Sequence, residues 1–247
     1  MPVVRRGGVW TESHVRRDSA WTAEGEPRGA VVDPTAEIKT LTLRYKYAPS
    51  YWGMDGDDDE VDLQMGIPHR AFGKANILRV TVPYLTSTPV GNPGLTDVAV
   101  FDVVLLHQRW GTLAVGGVSS VGPDKGTDTD MFAIGPAIGA VLKSPKWTYG
   151  VFSQNLFSFG DIASSQLQPI LAYTMSPKVS FSLGDMQITY DWKRDRFVNL
   201  PLSAQANYIT AVGQQPIRLF FNPQYNARNE VGTRQWTLIG GMALIVR

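Results

Sequence analysis

The sequence contains no cysteine, only three histidines and no long apolar run. A chain without cysteine has no disulfide, no thiol nucleophile and no cysteine-ligated metal site. Its apolar runs are a few residues long, far short of the ~20 residues that a spanning helix needs. The net charge of +1 excludes a strong general attraction to nucleic acid or to an acidic surface. A mean hydropathy of −0.11 is too polar for a helical membrane protein.

The sequence instead alternates apolar and polar residues along many short stretches. Residues 40–47 read TLTLRYKY, so Leu43 and Tyr45 fall on one face of a strand and Arg44 and Lys46 on the other. Helical periodicity is almost absent between these stretches. Twelve strands are predicted, at 37–47, 60–68, 75–84, 96–107, 109–118, 130–142, 147–158, 165–175, 178–190, 196–209, 216–228 and 233–246.

The loops between these strands predict how the strands are arranged. Short connections alternate with longer, more polar ones, as in outer-membrane barrels, which have short periplasmic turns and long external loops. Aromatic residues near the strand ends suit interfacial girdles: Tyr47, Trp52, Tyr84, Trp110, Trp147, Phe159, Tyr190, Trp192 and Trp236. We therefore expect an all-β fold: one antiparallel up-and-down transmembrane β-barrel of about 12 strands at 36–247, preceded by a flexible N-terminal arm at 1–35.

Two local features modify this pattern. Four prolines (Pro136, Pro169, Pro201 and Pro223) fall inside predicted strands, where each removes a ladder donor and calls for a bulge or a strand end. The strand at 178–190 changes phase, and a bulge near Gly184 would reconcile its two halves.

If the apolar face of each strand points outward, its polar residues point inward and line a lumen. The predicted lumen-lining residues are Arg44, Lys46, Asp62, Gln64, Arg79, Asp102, Gln154, Gln168, Gln187, Asn199, Gln205, Asn207, Arg218, Asn222 and Gln224. Small inward residues, among them Gly139 and Gly241, would keep part of the bore open. Alternatively, the lumen charges pair with one another and plug the barrel.

Signs of catalysis or of a metal site are weak. The histidines, His14, His69 and His107, are scattered over the arm and two turns. The acidic run from Asp55 to Glu60 is a candidate for Ca²⁺, but its spacing departs from an EF-hand, and a solvated external loop is favoured. We predict no catalytic residue, no metal and no cofactor.

The first 33 residues carry Arg5-Arg6 and Arg16-Arg17 but no apolar core of 7–15 residues, which a secretory signal requires. Either the export signal has been removed or the start is misplaced, or the outer-membrane interpretation is wrong. We favour the first explanation.

Several short motifs resemble one family in their order and spacing. They are GLTD at 94–97, WGTL at 110–113, IGPA at 134–137, WTYG at 147–150, QLQP at 166–169 and LPL at 200–202. From about Val61 onward the chain resembles the outer-membrane transporter proteins of the phenol meta-cleavage degradation pathway. The resemblance implies an outer-membrane barrel that passes small, often aromatic, compounds. It carries over no catalytic residue.

The function expected from the sequence is passive uptake of small molecules, aromatic or hydrophobic ones among them, through a bacterial outer-membrane channel. The expected partners are outer-membrane lipid, the substrate and the barrel-assembly machinery, and no nucleic acid. Two alternatives remain: an outer-membrane lipid-modifying enzyme, and a soluble ligand-binding β-barrel whose apolar faces point inward. In the soluble barrel, Arg44, Lys46 and Gln168 would be exposed to solvent.

Overall fold

The computed structural model describes residues 35–89, 91–122, 132–160 and 162–246. Almost all of the predicted N-terminal arm therefore lies outside the described residues, as does most of the external loop expected at 119–130. Among the described residues, no helix is long and apolar enough to cross a membrane.

The described residues form an all-β fold of twelve strands, two of which are interrupted. The uninterrupted strands are β1 Lys39–Tyr51, β2 Asp58–Ala71, β3 Lys74–Ser87, β4 Val98–Gln108, β5 Gly111–Val121, β6 Phe132–Lys143, β7 Trp147–Phe157, β8 Ala163–Thr174, β11 Gln215–Asn226 and β12 Arg234–Val246. The interrupted strands are β9, with segments Val179–Ser182 and Ile188–Asp191, and β10, with segments Arg196–Asn199, Pro201–Ser203 and Gln205–Val212. A two-residue strand, Gly94–Leu95, pairs with the end of β3.

Each strand pairs antiparallel with its neighbours in the chain, and β12 pairs with β1. The two segments of β9 both pair with β8 on one side and with β10 on the other. The sheet therefore closes on itself as a twelve-strand barrel, which confirms the predicted fold class. Closure gives each of the twelve described strands a neighbour on both sides.

Most connections alternate in length around the barrel, as the sequence predicted, although 175–178 after β8 and 192–195 after β9 are equally long. At the end that carries residue 39 and residue 246, the turns are short, such as 72–73 after β2 and 213–214 after β10. At the opposite end they are longer, such as 52–57 after β1 and 227–233 after β11. We call these the short-turn end and the long-loop end.

The outer surface of the barrel is apolar. Leu43 and Tyr45 are about half exposed, at 49% and 50%, whereas Arg44 between them is 8% exposed because it points into the barrel. Gln168 is also buried. This phase is the opposite of what a soluble barrel with an apolar interior requires, so the soluble alternative is not supported.

All four mid-strand prolines lie where the ladder to one neighbouring strand is interrupted. No ladder partners join β6 to β7 between Ile134 and Ala137, where Pro136 lies, and Pro201 begins a separate segment of β10. Pro169 pairs continuously with β7 but lies in the gap of the ladder to β9. Pro223 pairs continuously with β12 but lies in a gap of the ladder to β10.

Candidate functional site: a charged waist inside the barrel

Two cavities lie inside the barrel between residues that the structure describes. The larger, of about 740 Å³, opens toward the long-loop end, and the smaller, of about 120 Å³, lies toward the short-turn end. Most of the predicted lumen residues line one or both: Arg44, Lys46, Asp62, Gln64, Arg79, Gln154, Gln168, Gln187, Asn199, Gln205, Arg218 and Gln224. Asn207 and Asn222 are buried beside the smaller cavity and bond to other polar groups.

The two cavities meet at a set of five residues that line both of them: Arg44, Gln64, Arg79, Gln168 and Asp185. These residues come from β1, β2, β3, β8 and the interruption of β9. We call this set the waist. Anything that passes between the cavities meets these side chains.

Arg44 links two carboxylates at the waist. Its Nη2 lies 3.0 Å from Asp62 Oδ2 and its Nη1 2.5 Å from Asp185 Oδ2. The Asp62 side chain is 0% exposed and also receives the Lys46 ammonium at 2.8 Å. A carboxylate so far from water requires such cationic partners. Arg44 is therefore held between a fixed, buried carboxylate and a second one that faces the lumen.

A second ion-pair cluster lies above the waist toward the long-loop end. Arg234 contacts Asp58 at 2.7 Å and Glu60 at 2.8 Å, and Lys46 contacts Glu60 at 2.7 Å. Asp58 and Glu60 are both buried, so the expectation of a solvated acidic loop is wrong for these two residues. Within the described residues, no group of three or more His, Cys, Asp or Glu is arranged to hold a metal ion.

Two arginines at the waist level stack on aromatic rings. The Arg79 guanidinium carbon lies 5.6 Å from the centre of the Phe101 ring, and that of Arg218 5.1 Å from the centre of the Phe220 ring. Such cation–π contacts stabilise a guanidinium beside an apolar surface. They place both arginines at the border between polar and apolar parts of the lumen.

One side of the lumen is apolar, which the sequence analysis missed. Inward residues of β3 to β8 pack together: Ile77, Phe101, Val103, Leu105, Ala114, Val118, Ala137, Val141, Phe152 and Ile170. Phe101 and Phe152 meet edge to face at 5.8 Å. A Cβ on Gly139 would lie 2.4 Å from the Phe152 ring, and one on Gly241 2.3 Å from the Phe220 ring. These glycines therefore make room for aromatic rings rather than for an open bore.

Asp185 is the second residue that the sequence analysis missed. It lies where β9 is interrupted, between Ser182 and Ile188, next to Gly184, whose φ of 64° is in the left-handed region. The predicted phase change is thus real, but it is a short inward excursion rather than a single-residue bulge. The excursion carries the Asp185 carboxylate into the waist.

Polar groups of β10 and β11 hold the backbone of this excursion. Leu183 O accepts from Ser203 Oγ at 2.6 Å, and Gln187 O accepts from Asn199 Nδ2 at 3.0 Å. Behind Gly184, Asn222 Nδ2 donates to Gln205 Oε1 at 3.2 Å and Gln205 Nε2 donates to Asn207 Oδ1 at 2.6 Å. We call Gln205, Asn207 and Asn222 the amide cluster. Its members, predicted to line the lumen, are largely engaged with each other and with the excursion.

The prediction that Asp102 lines the lumen is wrong. Its neighbours Phe101 and Val103 are buried inside, and the Asp102 side chain is 45% exposed on the outer face. There Asp102 Oδ1 lies 3.0 Å from His69 Nε2. The reason is the register, because Arg79 pairs with Phe101 across β3 and β4 and both point inward.

The contact between His69 and Asp102 on the outer face should stabilise the barrel. Replacing His69 by leucine should lower the free energy of unfolding in lipid vesicles by about 1–2 kcal/mol, because an unpaired carboxylate then faces an apolar surround. The double variant His69→Leu/Asp102→Val should recover that loss, since neither polar group remains. Urea titration of the refolded variants measures both values. A double variant less stable than the single one would contradict the argument.

His107 contacts one hydroxyl and one carboxylate near the short-turn end. His107 Nδ1 lies 3.2 Å from Thr112 Oγ1, and its Nε2 lies 3.3 Å from Glu37 Oε1. Thr112 is buried. In the described part of the chain, no serine hydroxyl bonds to His69 or His107.

No protein-family model and no curated protein matches the sequence. Among solved structures, the chain resembles the KdgM porin (10% identity, 84% of this chain and 99% of that one, TM-score 0.53). It also resembles an outer membrane channel from Pseudomonas putida F1, with 11% identity over 87% of this chain and 100% of that one and a TM-score of 0.59. A third similar structure is outer membrane phospholipase A from Escherichia coli, with 10% identity over 90% of this chain and 99% of that one and a TM-score of 0.52. At these identities the likeness shows the fold alone: the chain has the closed antiparallel barrel of these outer-membrane proteins.

Proposed function

We propose that this protein is a channel of the bacterial outer membrane through which small molecules diffuse passively. The observation that carries the proposal is the pair of cavities inside a barrel with an apolar outer face, joined at a charged waist. Water and small solutes need such a polar path across lipid. Outer-membrane lipid surrounds the barrel in this proposal, and the barrel-assembly machinery inserts it.

The proposed substrates are small molecules with an aromatic or otherwise apolar body. The support is the inner apolar wall, where Phe101 and Phe152 lie opposite the polar side of the lumen. A purely hydrophilic solute gains nothing from that wall, whereas an apolar ring is removed from water against it. The resemblance to the phenol-pathway transporters points to the same class of compound.

Conductance across a planar lipid bilayer tests the channel directly. The parent protein should give discrete current steps. Gln168→Trp places an indole in the waist and should reduce the step size several-fold. Leu167→Trp is the matched control, because Leu167 is the next residue on the same strand and is exposed on the outer face. Absence of steps in the parent, or equal steps in the two variants, would overturn the proposal.

The proposal assigns the protein no catalytic step. His69 and Asp102 form a polar pair on the outer face. A lipid-modifying enzyme would also need a nucleophile that the lipid can reach beside such a pair. We expect no release of fatty acid from labelled phospholipid by the purified barrel. Hydrolysis that disappears in His69→Ala would overturn this assignment.

A further inference from the structure

We propose that the waist is a binding site for small organic carboxylates and that Asp185 is its built-in ligand, which an incoming carboxylate displaces from Arg44. The inference names a substrate class for the lumen and rests on the proposed channel function.

The waist carries more positive than negative charge. Of the five waist residues, Arg44 and Arg79 are cationic and Asp185 is the one carboxylate. The other carboxylate at this level, Asp62, is fully buried against Arg44 and Lys46. Two waist guanidinium groups thus stand beside one lumen-facing carboxylate, an arrangement that attracts an anion into the barrel.

The Arg44–Asp185 contact is open to competition. The Asp185 side chain is 49% exposed, whereas that of Arg44 is 9% exposed and that of Asp62 is 0% exposed. Arg44 therefore stays in place when Asp185 moves, because Asp62 continues to hold it. Because Asp185 is exposed to water, its ion pair with Arg44 is weak, and another carboxylate can replace Asp185 at a modest cost in free energy.

The backbone around Asp185 does not depend on its carboxylate. Leu183 O and Gln187 O, on either side, are bonded to side chains of β10. The Asp185 carboxylate itself has Arg44 and, at 3.4 Å, the Gln168 amide as hydrogen-bond partners. Rotation of this one side chain exposes the Arg44 guanidinium without a change in the barrel.

The apolar wall defines the rest of the ligand. Phe101 lies under Arg79 and lines the larger cavity together with Val118 and Leu156. A carboxylate bound at Arg44 and Arg79 would extend its apolar body along this surface. The site therefore fits a small acid with an aromatic or branched body better than a sugar or an inorganic anion.

Calorimetric titration of the full-length protein in detergent with sodium benzoate tests the site without any transport step. Asp185→Asn should bind benzoate about tenfold more tightly than the parent, because the internal competitor is gone. Asp97→Asn is the control: it removes an exposed carboxylate from the same cavity, outside the waist. Arg79→Gln should weaken binding about tenfold.

Two further ligands separate the contribution of the carboxylate charge from that of the aromatic ring. Benzyl alcohol, which lacks the charge, and acetate, which lacks the ring, should both bind more weakly than benzoate. Equal binding of benzoate and acetate would overturn the assignment of an apolar body, and equal affinity in Asp185→Asn and Asp97→Asn would overturn the role of Asp185. Should Asp185→Asn fail to fold, unchanged affinity in Arg79→Gln would overturn the site.

The two proposals fail in different ways. Current steps without benzoate binding would overturn the carboxylate site and leave the channel. Benzoate binding without current would overturn the channel and support the site as a binding pocket. Current steps that benzoate reduces in the parent, at lower concentration in Asp185→Asn, would support both.

Discussion

Replacing Gly184 by alanine should lower the free energy of unfolding by about 3 kcal/mol. The φ of 64° costs a residue with a Cβ about 1–2 kcal/mol. The new Cβ would also lie 1.9 Å from Asn222 Nδ2 and 2.7 Å from Gln205 Oε1. The hydrogen bond between these two buried amides would have to break. Urea titration of the protein refolded into lipid vesicles measures the loss.

Gly213→Ala is the matched control for this prediction. Gly213 has a φ of 61° in the turn between β10 and β11, and a Cβ there would meet no atom within 4 Å. Its loss should be the conformational part alone, about 1 kcal/mol. If both alanine variants lost the same stability, the amide cluster would not be a tight support for the excursion that carries Asp185.

The outer face of the barrel could be predicted from the sequence because its pattern is strict. In β1, Leu43 and Tyr45 alternate with Arg44 and Lys46, so the strand has one apolar side and one polar side. The twelve alternating stretches predicted the even strand count, and the short and long connections predicted the two ends. Both features depend only on residues that are close together in the sequence, so one sequence is enough to predict them.

The apolar half of the lumen could not be predicted in the same way. Residues 98–106 of β4 are apolar on both faces except for Asp102, and that single polar residue was taken to mark the inside. The actual phase follows from the pairing of Phe101 with Arg79 on β3. Register between strands depends on contacts that a period-two pattern does not contain.

The waist was predicted in part. Arg44, Gln64, Arg79 and Gln168 follow from strand phase, but Asp185 does not, because it lies where the strand pattern fails. The phase change near Gly184 located the irregularity. Its inward direction is set by side chains of β10 and β11, which come from distant parts of the sequence.

The second large effect is expected at Arg44. Arg44→Met should lower the free energy of unfolding by about 3 kcal/mol, because it removes one of two cations from a fully buried carboxylate. Asp62 would keep only Lys46, at 2.8 Å. The same substitution at Arg70, which is exposed near the short turn after β2, should change stability by less than about 0.5 kcal/mol.

A double variant tests whether the loss of stability in Arg44→Met comes from the ion pair between Arg44 and Asp62. Arg44→Met/Asp62→Leu removes both buried charges, so it should be clearly more stable than Arg44→Met alone. Stability losses of the single variants that simply add in the double one would contradict the interpretation of Asp62 as the fixed partner of Arg44. Because Arg44 supports the fold as well as lining the waist, a change in current in Arg44→Met would mix the two roles. Arg79 is the better functional probe, since its guanidinium rests on a ring and, within the described residues, has no carboxylate in ion-pair contact.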